Sequence, residues 1–478
     1  MDRLRMLVVG AVLATMVTVV QAASGPPASA AGANAFSMTT TPALQPAFSP
    51  SIQDYAVRCA GQPETHLTTT GRHPVVVDGT TMAGPVSMDL PLVAGQEASV
   101  AYGAKSYYIR CLPSDFPTYT STVTGHPKAT GYLLTLTPYV VAFDTDGVPV
   151  WWYRDGGYYS PWDAKSFGTG TIGWWDDTGF TTETSGDTQG QYVLHGLDGS
   201  VQHTVGGQEL PLDFHDLTTM PNGDYLGILD QTTPCPAVPS TCIDLSSWGQ
   251  SSQSSVTDDV IVEINASNQV VWSWSAAAHL DVAAENVNWR DQFPDVIHMN
   301  SVEYDGAGGI IFSARHLDAV YRIDMATGAV TWKLGGSTTP QSLTVSGDQY
   351  AQLFSGQHYA RISPKGTITV QDNGTWAGRL PRGLSFKINT TRHTAKIVAQ
   401  VTDPRTIGAI CCGSAELTAK GSDWVASWGY NDFTTELNAA GVPQLTITYP
   451  GESSYRAAQL GTTVAALRAG MNAQVAPL

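Results

Sequence analysis

The chain has 478 residues, of which only 14% are charged, and a formal net charge of −17. That length supports a sizeable core in one large or two ordinary domains. The charged share falls well short of the roughly 25% of an average soluble domain, and the residues that fill the gap (Gly, Thr, Ser, Val, aromatics) suit a β-rich protein. That balance disfavours nucleic acid and anionic membrane as partners, because both demand a basic footprint, and neither is expected; a small anionic substrate is compatible, provided that a few cations converge locally.

The chain opens MDRLRMLVVGAVLATMVTVVQAA. Arg3 and Arg5 form a short basic region, Met6 to Val20 is apolar, and Val20-Gln21-Ala22 is a small-residue cleavage site. Residues 1–22 read as a secretory signal peptide, which places the mature protein outside the cytoplasm, extracellular or periplasmic. An uncleaved anchor is the alternative. No later stretch is long and apolar enough to span a bilayer. Residues 23–50 are an Ala/Ser/Pro-rich linker that need not fold. From 51 to 122, short β-like runs such as HPVVVDG are punctuated by Gly and Pro, as in a small β-sandwich.

In an exported chain the six cysteines default to disulfides. Loop logic favours Cys59–Cys111 and Cys235–Cys242. Cys411 and Cys412 would form a vicinal bond or take two separate partners. With no CxxC spacing, a thiolate metal site is not expected.

From about 130 to 460 a pattern repeats: an apolar run, an Asp, Asn or Gly turn, then a second strand that often carries Trp. The copies begin at Val140, Tyr192, Val260, Ala319, Leu384 and Thr434. Six copies at roughly 50–70-residue spacing predict the outer hairpins of a six-bladed β-propeller, with 461–478 left as a tail. The segment SSYRAAQL should supply a strand to the first blade and close the ring. No convincing amphipathic helix separates the copies, so a βαβ architecture is not expected.

Three copies are preceded by a second hairpin: HDLTTMPNGDYLGILD from His215, HMNSVEYDGAGGIIFSAR from His298 and HYARISPKGTITVQDN from His358. Aligned on their turns, all three begin with histidine. Inner strands line a propeller's channel, so the three rings should meet at one mouth. The first residue of one hairpin strand neighbours the last of the next, which sets Arg315 beside His298. Asn300 shares the face of His298. His316 falls on the opposite face and reads as structural. The return positions Asp230 and Asp372 are candidates to orient the rings. The loop from about Gln231 to Ser255, with its own cysteine pair, is placed to overhang the site.

At these residues the chain resembles the bacterial arylsulfate sulfotransferase (arylsulfotransferase) family. The resemblance rests on HDLTTMPNGDYL, on HMNSVEYD with SARH, and on QHYARISPKGTITVQDNG. It implies a six-bladed propeller behind a small β-sandwich, and transfer of a sulfuryl group from an aryl sulfate donor to a phenolic acceptor without the phosphoadenosine donor. It further implies that His358 is the nucleophile, that His215, His298, Asn300 and Arg315 complete the active site, and that Tyr455 contacts substrate. No cofactor or metal is called for.

The chemistry of these residue types agrees. Sulfuryl transfer needs charge stabilisation and in-line positioning. Arg315 offers a fixed cation with a planar fork, and His298 and Asn300 can donate to sulfuryl oxygens. A neutral His358 can attack sulfur to give a sulfohistidine, with His215 or His298 as acid and base. Two other readings compete: a non-catalytic ligand-binding propeller, and a three-histidine metalloenzyme, which Arg315 in the ring opposes.

Overall fold

A computed structural model describes residues 35–61, 64–180 and 189–475. The signal peptide and the first part of the linker lie outside the described residues.

The N-terminal module is built from two sheets. Met38–Thr41, Thr65–Thr69 and Ser87–Leu90 form one. Asp54–Val57, Lys105–Cys111, Glu97–Tyr102, Val75–Val77 and Thr80–Met82 form the other, in that spatial order. Both contribute to one core that includes Met38, Leu67, Leu90, Tyr55, Val75, Val100 and Ile109, stapled by Cys59–Cys111. The module starts earlier than its sequence suggests. Residues 35–50 read as linker because they lack charge, yet Met38–Thr41 pairs with Thr65–Thr69, and Phe36 stacks on Tyr102 at 4.3 Å. The β-branched run Thr39-Thr40-Thr41 behind a buried Met38 is a strand signal that the flanking Pro and Ser obscure.

The rest of the chain is a β-propeller of antiparallel four-stranded sheets. Six follow one another: five contain a four-stranded meander in chain order, the fifth of the six also pairing Thr344–Ser346 parallel at its edge, and the first takes one strand from elsewhere in the chain. The third runs Leu217–Thr219, Tyr225–Thr232, Thr257–Ile264 and Val270–Ser275. The fourth runs Met299–Tyr304, Gly309–Ala314, Ala319–Asp324 and Val330–Gly335. The fifth begins His358–Ile362 and Ile368–Asp372. The first sheet is completed from the far end of the chain: Ala457–Gln459 pairs with Tyr132–Leu136, Leu134 opposite Ala457. This closing strand sets the residues before it, Tyr455 and Arg456, among the histidine-bearing segments. The last sheet takes a fifth strand, Thr120–Val123, which a sequence boundary at 122 would cut.

The C-terminal segment is not a tail. Val464–Gln474 is an α-helix capped by Thr463, whose side chain accepts from Ala466 N at 3.2 Å. Leu467 and Met471, one turn apart, are buried in the first sheet's core. Arg468 reaches across to Asp54 with hydrogen bonds of 2.9 and 2.8 Å, tying propeller to sandwich. Gly470 lies against Leu197, where a Cβ would come within 2.4 Å of that side chain.

The remaining cysteines pair as Cys235–Cys242 and as the vicinal Cys411–Cys412. The loop carrying Cys235–Cys242 packs through Leu245 and Trp248 against 276–297, the segment that leads to His298.

Candidate active site

Three histidines meet because three successive sheets start at one end of the channel. His215 lies just before Leu217–Thr219, His298 just before Met299–Tyr304, and His358 opens its own strand. The ring of His215 is 4.8 Å from that of His298 and 6.0 Å from that of His358. His298 has φ of 56°, a left-handed backbone that costs on the order of 1–3 kcal/mol for a non-glycine residue and gathers at functional sites.

Each ring is anchored through Nδ1. Asp213 Oδ1 is 2.7 Å from that of His215, Asp295 Oδ2 is 2.6 Å from that of His298, and Gly413 O is 2.9 Å from that of His358. Anchoring at Nδ1 fixes the rings and leaves each Nε2 for chemistry. A carbonyl can only accept, so Nδ1 of His358 carries the proton and Nε2 carries a lone pair. Burial, reinforced by Arg456 and His215, holds His358 well below the usual histidine range and therefore neutral. The Tyr455 hydroxyl lies 3.3 Å from that Nε2. Burial raises Tyr455 well above its ordinary value, so the hydroxyl keeps its proton. Burial, with His298 and Arg456, likewise keeps His215 neutral.

Arg315 stands directly beside His298: its backbone N donates to His298 O at 2.9 Å. The strand ends at Ala314, and Arg315–Leu317 turns into a 3₁₀ helix. This turn breaks the two-residue alternation, so His316 does not point away. It stacks on His298 at 4.5 Å, and its Nε2 accepts from Arg315 Nη1 at 3.0 Å. Arg315 also donates from Nη2 to Ile410 O at 2.5 Å and lies over Trp289, 4.2 Å from the ring centre. Five arginines are buried among the described residues: Arg110, Arg315, Arg361, Arg382 and Arg456. Arg110, Arg361, Arg382 and Arg456 contact carboxylates. Among the described residues Arg315 has no carboxylate within ion-pair distance, and its buried Nε has no hydrogen-bond partner. Burial lowers it to about 10, which leaves it charged at neutral pH. Asp295 and Asp318 favour its charge from beyond ion-pair distance; a buried cation with no directly paired carboxylate is costly, and an anionic ligand is a natural complement.

Asn300 does not face open space in the manner the sequence suggests. Its Nδ2 donates to Gln357 O at 2.9 Å and its Oδ1 accepts from Tyr359 N at 3.3 Å. It therefore grips the backbone on both sides of His358. Asp372 orients no ring, because Arg379 and Arg382 occupy it. The orienting carboxylates are Asp213 and Asp295, two and three residues before their histidines, outside the repeated hairpin. Arg456 is the residue that sequence reasoning missed. Its Nη1 donates to Asp163 Oδ1 and to His215 O, both at 2.6 Å, and its Nη2 donates to Asn300 O at 2.5 Å. It was invisible because only ring closure brings it here.

A metal does not suit this donor set. The compact group is Asp295, His298 and His316, whose ligand atoms lie within 4.8 Å of one another. Both nitrogens of His316 are engaged, Nδ1 with Asp295 O at 2.8 Å and Nε2 with Arg315. A divalent cation there would also face the Arg315 guanidinium.

A neutral imidazole whose Nε2 carries a lone pair and a buried arginine in no ion pair among the described residues thus belong to one histidine-rich cluster on the β-propeller. The family Arylsulfotransferase (ASST) matches residues 132–449, well over half of the chain, and the chain belongs to that family. No curated protein matches the chain. Among solved structures it is similar to the periplasmic gluconolactonase of Pseudomonas aeruginosa, with 15% identity over 66% of this chain and 81% of that one and a TM-score of 0.39. It is also similar to a protein of unknown function from Bacteroides caccae, with 11% identity, coverage of 72% and 98%, and a TM-score of 0.38. A putative 6-phosphogluconolactonase from Bacteroides uniformis gives 12% identity, coverage of 83% and 95%, and a TM-score of 0.36.

Proposed function

We propose that the protein moves a sulfuryl group from an aryl sulfate ester to a phenol in two steps through His358. The observation that carries this reading is Arg315, buried, charged and in no ion pair among the described residues, beside His298, whose cluster includes a neutral His358 with a lone pair on Nε2. The ester's sulfate docks on Arg315. Nε2 of His358 attacks sulfur, the N–S bond forms as the S–O(aryl) bond breaks, and the electron pair leaves with the phenolate. His298 gives the phenolate a proton. In the second step the acceptor phenol attacks sulfur, His298 takes its proton, and the N–S pair returns to His358. His298 suits this role better than His215 because its side chain is 27% exposed against 8%, so it exchanges protons with water. Tyr455 and the Asn300 clamp keep the nucleophile in place.

Extracytoplasmic residence fits the six paired cysteines. Among the described residues no helix is long and apolar enough to cross a membrane.

The deciding experiment uses a chromogenic aryl sulfate with and without added phenol. Acceptor-dependent release of chromophore, with sulfated phenol as second product, is expected. Release at the same rate without acceptor makes the protein a hydrolase, and no release with any aryl sulfate overturns the reading.

A further inference from the structure

Where the other buried arginines among the described residues contact carboxylates, Arg315 rests on an indole: its guanidinium lies 4.2 Å from the centre of the Trp289 ring. That ring is fixed. Trp289 is 1% exposed, its Nε1 donates to Asp318 Oδ1 at 3.0 Å, and its backbone N donates to Asn286 Oδ1 at 3.0 Å. His316 packs on the same indole, 5.0 Å away with 22° between the planes, and accepts from Arg315 Nη1 at 3.0 Å. Asp318 is the lock. Besides the indole, its carboxylate accepts from Asn288 Nδ2 at 2.7 Å and from Gly356 N at 2.9 Å, and its own N donates to Arg315 O at 3.1 Å. Gly356 lies two residues before His358. One buried carboxylate therefore ties the indole, the Arg315 turn and the entry to the His358 strand. It does so from a left-handed backbone, φ 49°, that a residue with a side chain adopts at a cost.

We propose that Trp289, locked by Asp318, is the positioning residue of the anion site: it holds the Arg315 guanidinium in place without neutralising it and leaves the planar fork to an oxyanion. The inference rests on reading Arg315 as the cation that binds the anion, and adds what aims it. A directly paired carboxylate would also hold the guanidinium, but it would occupy the fork and cancel its charge. An aromatic face attracts a cation through its quadrupole, carries no charge and takes up no N–H along the fork's edge. Hydrogen bonds to His316 Nε2 and Ile410 O use only part of that edge.

The test titrates inorganic sulfate, and chloride for comparison, into the intact protein by calorimetry, and follows tryptophan emission alongside. The wild type should bind sulfate in preference to chloride, with a change in emission. Trp289→Phe keeps an aromatic face and loses the bond to Asp318; sulfate affinity should fall about threefold and the emission change should vanish. Trp289→Leu loses the face as well and should weaken sulfate about tenfold. Chloride, which needs the charge and not the fork, should weaken less, so the preference for sulfate collapses. Equal losses for both anions would show general damage to the site and overturn the proposal, as would unchanged affinity and preference in Trp289→Leu. If Trp289→Leu does not fold, Trp289→Phe decides: parental affinity, or an emission change that persists, overturns it. A wild type that binds no sulfate overturns the anion reading of Arg315 and this inference with it. Sulfate binding that depends on Trp289 in a protein that transfers no sulfuryl group leaves the inference standing and sinks the transfer reading. Transfer with parental kcat and donor KM in Trp289→Leu does the reverse.

Discussion

Tyr455 and His358 are 97 residues apart in the chain, yet Oη of one lies 3.3 Å from Nε2 of the other, their rings perpendicular. One comes from the segment that closes the first sheet and the other from the start of the fifth. The contact fixes the direction of the nitrogen that attacks sulfur in the proposed reaction. Because Nδ1 of His358 donates to Gly413 O, Nε2 is the unprotonated nitrogen and the hydroxyl is the donor to it.

Incubation with an aryl sulfate alone should leave one sulfuryl group on His358. Chromophore release should show a burst of about one equivalent per site, and initial-rate plots with both substrates should be parallel. Intact-mass analysis at alkaline pH should find the adduct on the peptide containing His358. His358→Ala should remove burst and adduct together. An adduct on His215 or His298 would reassign the nucleophile, and intersecting rate plots without an adduct would replace the two-step route with direct transfer.

Arg315 should matter for function and not for stability. Arg315→Lys keeps the charge and loses the planar fork; the expected loss is on the order of 3 kcal/mol of transition-state stabilisation, about a hundredfold in rate. Arg315→Met removes a buried charge that no carboxylate pairs directly among the described residues, so its melting temperature should equal or exceed that of the parent. A marked drop in melting temperature would show that the fold relies on this guanidinium. Since burial lowers Arg315 to about 10, affinity for aryl sulfate should also fall as pH rises through that value.

The histidine trio was readable because the repeat places all three at one position ahead of an inner strand. Their neighbours were not, for separate reasons. Asp213 and Asp295 sit in loops that the repeat does not cover. Asp372 matched the template and is instead consumed by Arg379 and Arg382. The face of His316 was misread because alternation stops where the strand gives way to a 3₁₀ turn at Arg315. The terminal helix escaped notice because its buried stripe is only Leu467 and Met471 on an alanine-rich background. Arg456 needed the ring to be closed before any of its partners could be named.

Acid should weaken the fold through the same histidines. His215 and His358 are held below the ordinary histidine range in the folded protein, burial being the main cause in each. In the unfolded chain they titrate near about 6.5. Below that pH the unfolded chain takes up protons that the folded one refuses, so stability is full above about 6.5 and declines as pH falls. The slope is at most about 1.4 kcal/mol per pH unit for each group. Thermal melts from about pH 7.5 to 5 should show the fall, and His358→Gln should flatten it. An identical pH slope in His215→Asn and His358→Gln would mean that other groups carry the acid sensitivity.

Arg456 should prove the costliest single side chain to remove near the site. It donates to the Asp163 carboxylate and to the backbone carbonyls of His215 and Asn300, joining segments of the second, third and fourth sheets from a position beside the closing strand. Arg456→Met would strand both carbonyls in a buried setting and remove one cation from Asp163. Lys165, 2.6 Å from that carboxylate, softens the second effect. The expected loss is therefore about 3 kcal/mol, at the lower end of what breaking a buried pair costs. Urea unfolding should show it as a lower midpoint with an unchanged slope. Arg456→Lys should recover only part, because one ammonium cannot serve three acceptors spread over three chain segments. The variant should also lose activity while still folded, since His215 and Asn300 would each lose a backbone anchor and Tyr455 would lose the guanidinium 4.7 Å from its ring. If Arg456→Met unfolds at the parental urea concentration, the fold closes without this strap and its conspicuous set of hydrogen bonds serves only to aim the site.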